Sequence, residues 1–195
     1  MENEKEDIKR DIIEASKSIF KKDGYNKVTM DDIAKAALKG RSSLYHYFKN
    51  KHEIFEAMVI DEFLIIHHKA KSKISAELSF EENLKKYSET KLNGLKLLTK
   101  KYTYILRDLK GNHILLYKLQ SQMASLEINV FKHLLSSGVK NGDIKRMDDN
   151  DIDYLALAIV TAIGGLEKEL ILFEKIEDAT SRSFWLINIL VKGLQ

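Results

Sequence analysis

Residues 29 to 51, Thr-Met-Asp-Asp-Ile-Ala-Lys-Ala-Ala-Leu-Lys-Gly-Arg-Ser-Ser-Leu-Tyr-His-Tyr-Phe-Lys-Asn-Lys, constrain this chain more than any other stretch. Thr29 followed three residues later by Asp32 is a capping box and predicts a helix over 30–37. Gly40 precedes a second short helix over 41–48, and Asn50 with Glu53 caps the helix after it. No Asp or Glu occurs between Asp32 and Glu53, whereas Lys35, Lys39, Arg41, Lys49 and Lys51 all fall there. Two short helices joined by a tight turn, the second in a basic setting, are what a helix-turn-helix needs to enter a DNA major groove.

At about 100° per residue, Leu44 and Phe48 share one face of the second helix and pack inward on Ile33, Ala34 and the preceding helix. Ser42 and His46 lie roughly opposite, with Ser43, Tyr45 and Tyr47 on the flanks. Arg41, at the N-terminal end, suits bidentate contact with guanine O6 and N7. Ser and Tyr hydroxyls, Lys49 and Lys51 suit phosphates, joined by the free amides that open the neighbouring helices. The expected DNA-contacting set is Thr29, Lys39, Gly40, Arg41, Ser42, Ser43, Tyr45, His46, Tyr47, Lys49 and Lys51. The bland alternative is a solvated basic turn with its tyrosines packed on the core. The coincidence of the acid gap, the cap spacing and a two-turn helix argues against it.

Residues 8 to 58 resemble the DNA-binding domain of the tetracycline-repressor (TetR/AcrR) family. The resemblance rests on Phe20, Gly24, Tyr25, Thr29, Ile33, Ala34, Ala37, the run Leu44-Tyr45-His46-Tyr47-Phe48-Lys49-Asn50-Lys51, and Ile54. That run is highly specific for the family; the remaining chain matches in length, helical content and layout. The resemblance implies an all-α homodimer that binds palindromic operators, usually represses transcription, and releases DNA when a small ligand enters its C-terminal domain. Carried over by position, Arg41, Ser42, Ser43, Tyr45, Tyr47 and Lys51 face DNA. The turn departs from the pattern: Leu38, Lys39 and Gly40 stand where most members have Gly then Val-Ser, so the glycine is shifted toward the third helix.

Helical periodicity dominates the whole chain. Ile8, Ile12, Ala15 and Ile19 mark an amphipathic first helix that Gly24 ends. A fourth helix is expected to about residue 75 and a long stretch over 79–109, opened by Ser79 with Glu82 and kinked at Gly94. Helices over 113–137 and 150–174 follow, the latter capped by Asp148 with Asp151. A last helix, capped by Asp178, runs to about 193. The fold class is all-α, about nine helices, with a helix-turn-helix DNA-binding domain over 1–52 and a helical ligand-binding and dimerisation domain over 53–195. The chain has no Pro, where average usage gives about ten, which permits long helices. The absence of Cys excludes disulfides, thiolate nucleophiles and Cys-ligated metals. A net charge of +3 is too mild to identify a nucleic-acid binder by itself. The charged N-terminus is no signal peptide, and no apolar run approaches the roughly 20 residues a membrane helix needs.

The two C-terminal helices are apolar on more than one face, which demands burial on several sides. Ile159, Ile163, Leu166, Leu170, Phe184, Trp185, Ile187 and Val191 are the expected dimer interface, with Gly164 and Gly165 permitting close helix approach. Tyr87, Tyr102, Arg107, Tyr117, Gln120, Met123, Phe131 and Phe173 are the candidates for an apolar effector pocket with polar tips. His67 and His68 are adjacent, which rules against a shared metal on one helix face, and His113 and His133 have no clear partners. Neither a cofactor nor a metal is expected, and no nucleophile motif or phosphate-cradling loop points to an enzyme. The reading is a cytoplasmic homodimeric regulator whose partners are a double-stranded DNA operator and an unidentified small effector. Its rivals are a DNA-binding regulator without small-molecule control and a helical hydrophobe carrier with an incidental basic head.

Overall fold

The computed structural model describes residues 2–173 and 179–195, with side chains over 4–169 and 181–195. Nine helices and no strand occur among the described residues. They are α1 (Glu2–Lys27), α2 (Met30–Ala36), α3 (Arg41–Tyr45), α4 (Lys51–Lys71), α5 (Phe80–Lys101), α6 (Thr103–Lys110), α7 (His113–Asn141), α8 (Asp149–Phe173) and α9 (Ala179–Leu194). The side chains of Leu170 and Phe173 and the expected cap Asp178 lie outside the described residues. The chain forms two compact units, one of residues 1–62 and 98–119, the other of 63–97 and 120–195. The N-terminal unit is therefore larger than the expected 1–52, because α6 and the first turns of α7 belong to it.

In the N-terminal unit, Ile12 and Phe20 of α1, Ile33 and Ala34 of α2, Leu44 of α3, and Ile54, Phe55 and Met58 of α4 are all buried. Each fully buried large apolar side chain is worth about 1.5–3 kcal/mol relative to exposure. The capping box at α2 is formed: Thr29 N–H donates to Asp32 Oδ2 at 3.0 Å, and Asp32 N–H donates to Thr29 Oγ1 at 3.2 Å. α1 breaks at Gly24, whose φ of 78° and ψ of 178° suit glycine alone. A Cβ there would sit 2.8 Å from Asp108 Oδ2 on α6, and the same carboxylate accepts the Asn26 N–H at 3.0 Å.

Lys51, the first residue of α4, closes the end of α1. Its ammonium donates to the carbonyls of Tyr25, Asn26 and Val28 at 3.0, 3.1 and 2.9 Å, and lies 4.7 Å from the Tyr25 ring centroid. The orphan carbonyls of a helix end thus find a charged donor. Burial pushes the Lys51 ammonium below its ordinary pKa, with Asp108 opposing.

Several boundaries differ from the sequence-based expectation. α3 is one turn shorter, because the Asn50–Glu53 box starts α4: Glu53 N–H donates to Asn50 Oδ1 at 3.0 Å, and Lys49 N–H to Glu53 Oε2 at 2.8 Å. The stretch over 79–109 is two helices. Tyr102, at φ −124° and ψ 50°, leaves helical geometry. Its ring is buried and its hydroxyl donates to Glu62 Oε1 at 3.0 Å, beside Lys101 Nζ at 2.8 Å. α5 runs through Gly94, where the missing side chain admits Ile66: a Cβ would sit 2.7 Å from its Cγ2. α4 ends at Lys71 and α7 is a single helix to Asn141.

The C-terminal unit packs Leu84 and Tyr87 of α5, Phe131 and Leu135 of α7, Ala156 and Val160 of α8, and Ile187 and Val191 of α9 into one core. Ser79 and Asp148 cap α5 and α8 as expected, accepting the N–H groups of Glu82 at 3.3 Å and Asp151 at 2.8 Å. Through this core runs a buried ionic group in which Lys91 faces Glu127 and Glu167.

Replacing Lys51 by Met keeps the side-chain stem and removes the charged donor. The variant is expected to lose about 2–3 kcal/mol of unfolding free energy, read as a lower denaturant midpoint at unchanged slope. Wild-type stability in Lys51→Met would show that the clamp carries nothing. The opposite sign is expected at Leu38, which holds a positive φ of 52°. Leu38→Gly should gain about 0.5–1 kcal/mol by relieving a conformation disfavoured for L-residues, measured by the same denaturation.

Candidate nucleic-acid interface

α2, the turn over 37–40 and α3 present one polar surface over an apolar floor. Ile33, Ala34, Leu44 and Phe48 are buried, so the remaining side chains of α3 and its flanks point outward. Thr29, Gly40, Arg41, Ser42, Tyr45, His46 and Lys49 are exposed, and Lys39, Ser43 and Tyr47 half-exposed. Arg41, Ser42, Tyr45 and His46 follow the i, i+1, i+4, i+5 spacing of a single helix face. Tyr45 keeps 43% of its area exposed although it is aromatic, which suits stacking or contact rather than core packing.

Two members of the expected set are engaged elsewhere. Lys51 spends its ammonium N–H groups on the carbonyls at the end of α1, so its geometry is that of a structural clamp and not of a phosphate ligand. Thr29 is exposed, but its hydroxyl lies 2.6 Å from Asp32 Oδ2, and this contact with the Thr29 backbone N–H holds the Asp32 carboxyl below the usual range. Where α4 opens, the amides of Lys49 and Glu53 are occupied by the cap that Asn50 and Glu53 form.

Two residues absent from the expected set belong to this surface. Asp31 pairs with Arg41: Arg41 Nη1 donates to its Oδ2 at 3.3 Å and Nε lies 3.2 Å from its Oδ1, while the guanidinium sits 5.9 Å from the Tyr45 centroid. Asp31 stands one residue outside the acid gap, ten positions before Arg41, so only the turn geometry brings the two together. Leu38 is 92% exposed at the tip of the turn and holds the left-handed conformation. Gly40, at φ −67° and ψ 148°, caps α3 without a side-chain acceptor. The departure noted in the sequence is thus a reversal of roles, with the bulky residue at the positive-φ position and the glycine at the cap.

The expected effector residues are divided between the two units. Tyr102 is buried in the N-terminal unit, where Arg107 and Tyr117 are exposed. Tyr87 and Phe131 lie in the C-terminal core with their rings edge to face at 5.9 Å, and Gln120 and Met123 of the same unit are half-buried. A cavity of about 320 Å³ within the C-terminal unit is lined instead by other residues. These are Leu84, Ser88 and Leu92 of α5, Ile159, Ala162, Ile163, Leu166 and Glu167 of α8, and Ser183, Leu186, Ile187, Ile189 and Leu190 of α9. Four of the residues assigned to the dimer seam, Ile159, Ile163, Leu166 and Ile187, are therefore cavity wall. Val191 is buried in its own core and Phe184 packs against it. Trp185 is 57% exposed, and beside it on α8 and α9 Tyr154, Leu157, Leu186 and Ile189 are exposed too. Apolar breadth in a helix cannot by itself distinguish these three fates.

Residues 12–58 match the model of the tetR family of bacterial regulatory proteins. Over 157 residues the chain is 26% identical to the uncharacterized HTH-type transcriptional regulator YhgD of Bacillus subtilis (strain 168), covering 80% of this chain and 82% of that protein. A putative TetR-family transcriptional regulator from Syntrophomonas wolfei shares the fold with a TM-score of 0.72 at 16% identity, over 97% of each chain. The fatty acid degradation regulator FadR from Bacillus halodurans does so with a TM-score of 0.62 at 19% identity, over 95% of this chain and 99% of that one. No described helix is long and apolar enough to cross a membrane. Residues 12–58 are a helix-turn-helix domain of the tetR family, and the protein is a DNA-binding transcriptional regulator similar in fold to TetR-family regulators along its length.

Proposed function

We propose that the protein is a cytoplasmic homodimeric repressor that binds a palindromic operator and is released from it by a small apolar ligand. The observation that carries the DNA half of this reading is the exposed face of Arg41, Ser42, Tyr45 and His46 on α3, fixed from behind by buried Leu44 and Phe48. Two copies of α3 enter successive major grooves about 34–36 Å apart. Arg41 exchanges its contact with Asp31 for a base edge, and Lys39, Lys49, Ser43 and Tyr47 hold the phosphates. The apolar cavity of the C-terminal unit supports the ligand half, as does the likeness to a protein named for fatty acid degradation. Ligand binding shifts α4 and so the spacing of the two reading heads; the ligand must prefer the DNA-incompetent state for this to occur.

The dimer face of this reading is the exposed stripe of Tyr154, Leu157 and Trp185. Gly165 of α8 is exposed, and a Cβ built on it meets nothing within 4 Å. An isolated protomer therefore accommodates a side chain there, whereas a helix packed across the stripe does not.

Selection of bound duplexes from a random library tests the DNA reading. Wild type is expected to enrich a two-fold palindrome, and Arg41→Ala to relax one symmetric base-pair position at a cost of about 1–3 kcal/mol per half-site. Salt-sensitive binding without enrichment would remove the operator reading and favour the carrier. Gly165→Glu is expected to convert the dimer to a folded monomer in analytical ultracentrifugation, with helix propensity gaining about 0.5–1 kcal/mol per protomer. A Gly165→Glu dimer of wild-type affinity would move the interface off α8.

A further inference from the structure

The cavity of the C-terminal unit carries a charge that its apolar wall alone does not reveal. Leu84, Leu92, Ile163, Leu166 and Leu190 supply hydrocarbon, and Glu167 opens onto the same space. Behind it, Lys91 Nζ lies 2.8 Å from Glu167 Oε2 and 2.5 Å from Glu127 Oε1, and the Tyr87 hydroxyl donates to Glu127 at 3.0 Å. Among the described residues, Lys91 is the one cation within ion-pair range of either carboxylate. With both carboxylates ionised, two against one ammonium leave one negative charge in excess. The side chains of Lys91 and Glu127 keep 3% and 5% of their area exposed, that of Glu167 17%, so the excess is accessible at Glu167. His67, whose ring lies 3.4 Å from the Tyr87 hydroxyl, does not cancel it, because burial holds the imidazole toward its neutral form. Burial and the Glu127 charge raise the Glu167 carboxyl toward its neutral form, against the pull of Lys91, and a cation bound beside it draws it back to the carboxylate.

We propose that this cavity takes an amphiphile with an aliphatic body and a single cationic head, an alkylammonium, with Glu167 as its counter-charge. The assignment rests on the reading that the C-terminal unit accepts a small ligand, and it names the class. A monocation at Glu167 leaves Lys91 and Glu127 as a closed neutral pair and brings the buried group to zero net charge. An alkyl carboxylate would set a second negative charge against a low-dielectric wall, where like charges repel strongly. A neutral alcohol gains a hydrogen bond and no charge pairing. A volume of about 320 Å³ lies at the small end of ligand pockets, which run from roughly 300 to 1,000 Å³. A medium-length alkyl chain is therefore the right body.

Titration of the full-length protein with decylammonium, decanol and decanoate, each below its aggregation threshold, tests this by calorimetry. Decylammonium is expected to bind at least ten-fold more tightly than decanol, and decanoate more weakly than either. Glu167→Gln keeps the shape of the wall and should erase the advantage of the cation while leaving decanol affinity unchanged. Ser88→Met fills the cavity and should abolish binding of all three probes. A preference for decanoate, an unaltered cation preference in Glu167→Gln, wild-type binding in Ser88→Met, or no binding of any probe would each overturn the assignment. The two readings fail separately. Decylammonium that binds through Glu167 but leaves operator affinity unchanged sinks release by ligand and keeps the ligand class; decanoate that binds best and releases DNA does the reverse.

Discussion

The position of the reading head depends on one side chain, Lys51. Three backbone carbonyls at the end of α1 converge on its ammonium, and the residue that carries it is also the first of α4. α2 and α3 lie between those two points in sequence, so the clamp fixes both ends of the helix-turn-helix at once. Gly24 makes the convergence possible, since a helix that continued regularly would bond those carbonyls to its own amides. The apolar floor of Ile33, Leu44 and Phe48 then sets which way α3 faces. The exposed polar face of α3 follows from this frame.

What the sequence made legible and what it hid divide by range. The capping boxes at Thr29, Asn50, Ser79 and Asp148 were readable because each is a contact across three residues. The buried face of α3 was readable because helical period places Leu44 and Phe48 together. The break at Tyr102 was not, because its cause is Glu62, forty residues earlier. Gly94 misled for a related reason: a helical glycine signals either a kink or a close neighbour, and the neighbour, Ile66, lies on another helix. Lys51 sits in a basic cluster that suggests phosphate, and only the path of α1 reveals that its charge is already used. The expected effector set joins aromatic side chains to the polar Arg107 and Gln120 and to Met123. The cavity is walled by aliphatic positions of α5, α8 and α9, whose composition is that of any core.

On the proposed reading of Arg41 as a base-contacting residue, its pairing with Asp31 would limit unspecific binding. Arg41 in the free protein is paired with Asp31 and lies against Tyr45. An exposed pair of this kind is worth little to stability, a median of about 0–1 kcal/mol. Its effect on recognition is different in kind. A guanidinium approaching a phosphate must leave a carboxylate for a contact of similar chemistry, so the net gain is small. Approaching a guanine edge it exchanges one charged contact for two directed hydrogen bonds. The neighbouring acid thus subtracts from every DNA sequence and is offset by the right one, which is a way of raising selectivity without adding a contact.

Among the described residues of the C-terminal unit, the group of Lys91, Glu127 and Glu167 holds its charge in the opposite way, buried and, with both carboxylates ionised, one cation short of balance. A buried pair of opposite charges is no strong source of stability, because desolvation consumes much of the attraction. An unbalanced triad is costlier still, since one carboxylate has no cation of its own. Lys91 is shared at 2.5 and 2.8 Å between Glu127 and Glu167, and whatever supplies a further positive charge at Glu167 releases it to Glu127 alone. Such a site binds in proportion to the imbalance it relieves, and it relieves it only in the arrangement where the cavity is open to the ligand. Differential affinity between two arrangements of one protein is the sole currency in which a ligand can shift an equilibrium. A carboxylate left in excess inside an apolar wall creates that difference from three residues on separate helices, α5, α7 and α8, without any movement having to be built into the ligand's own contacts.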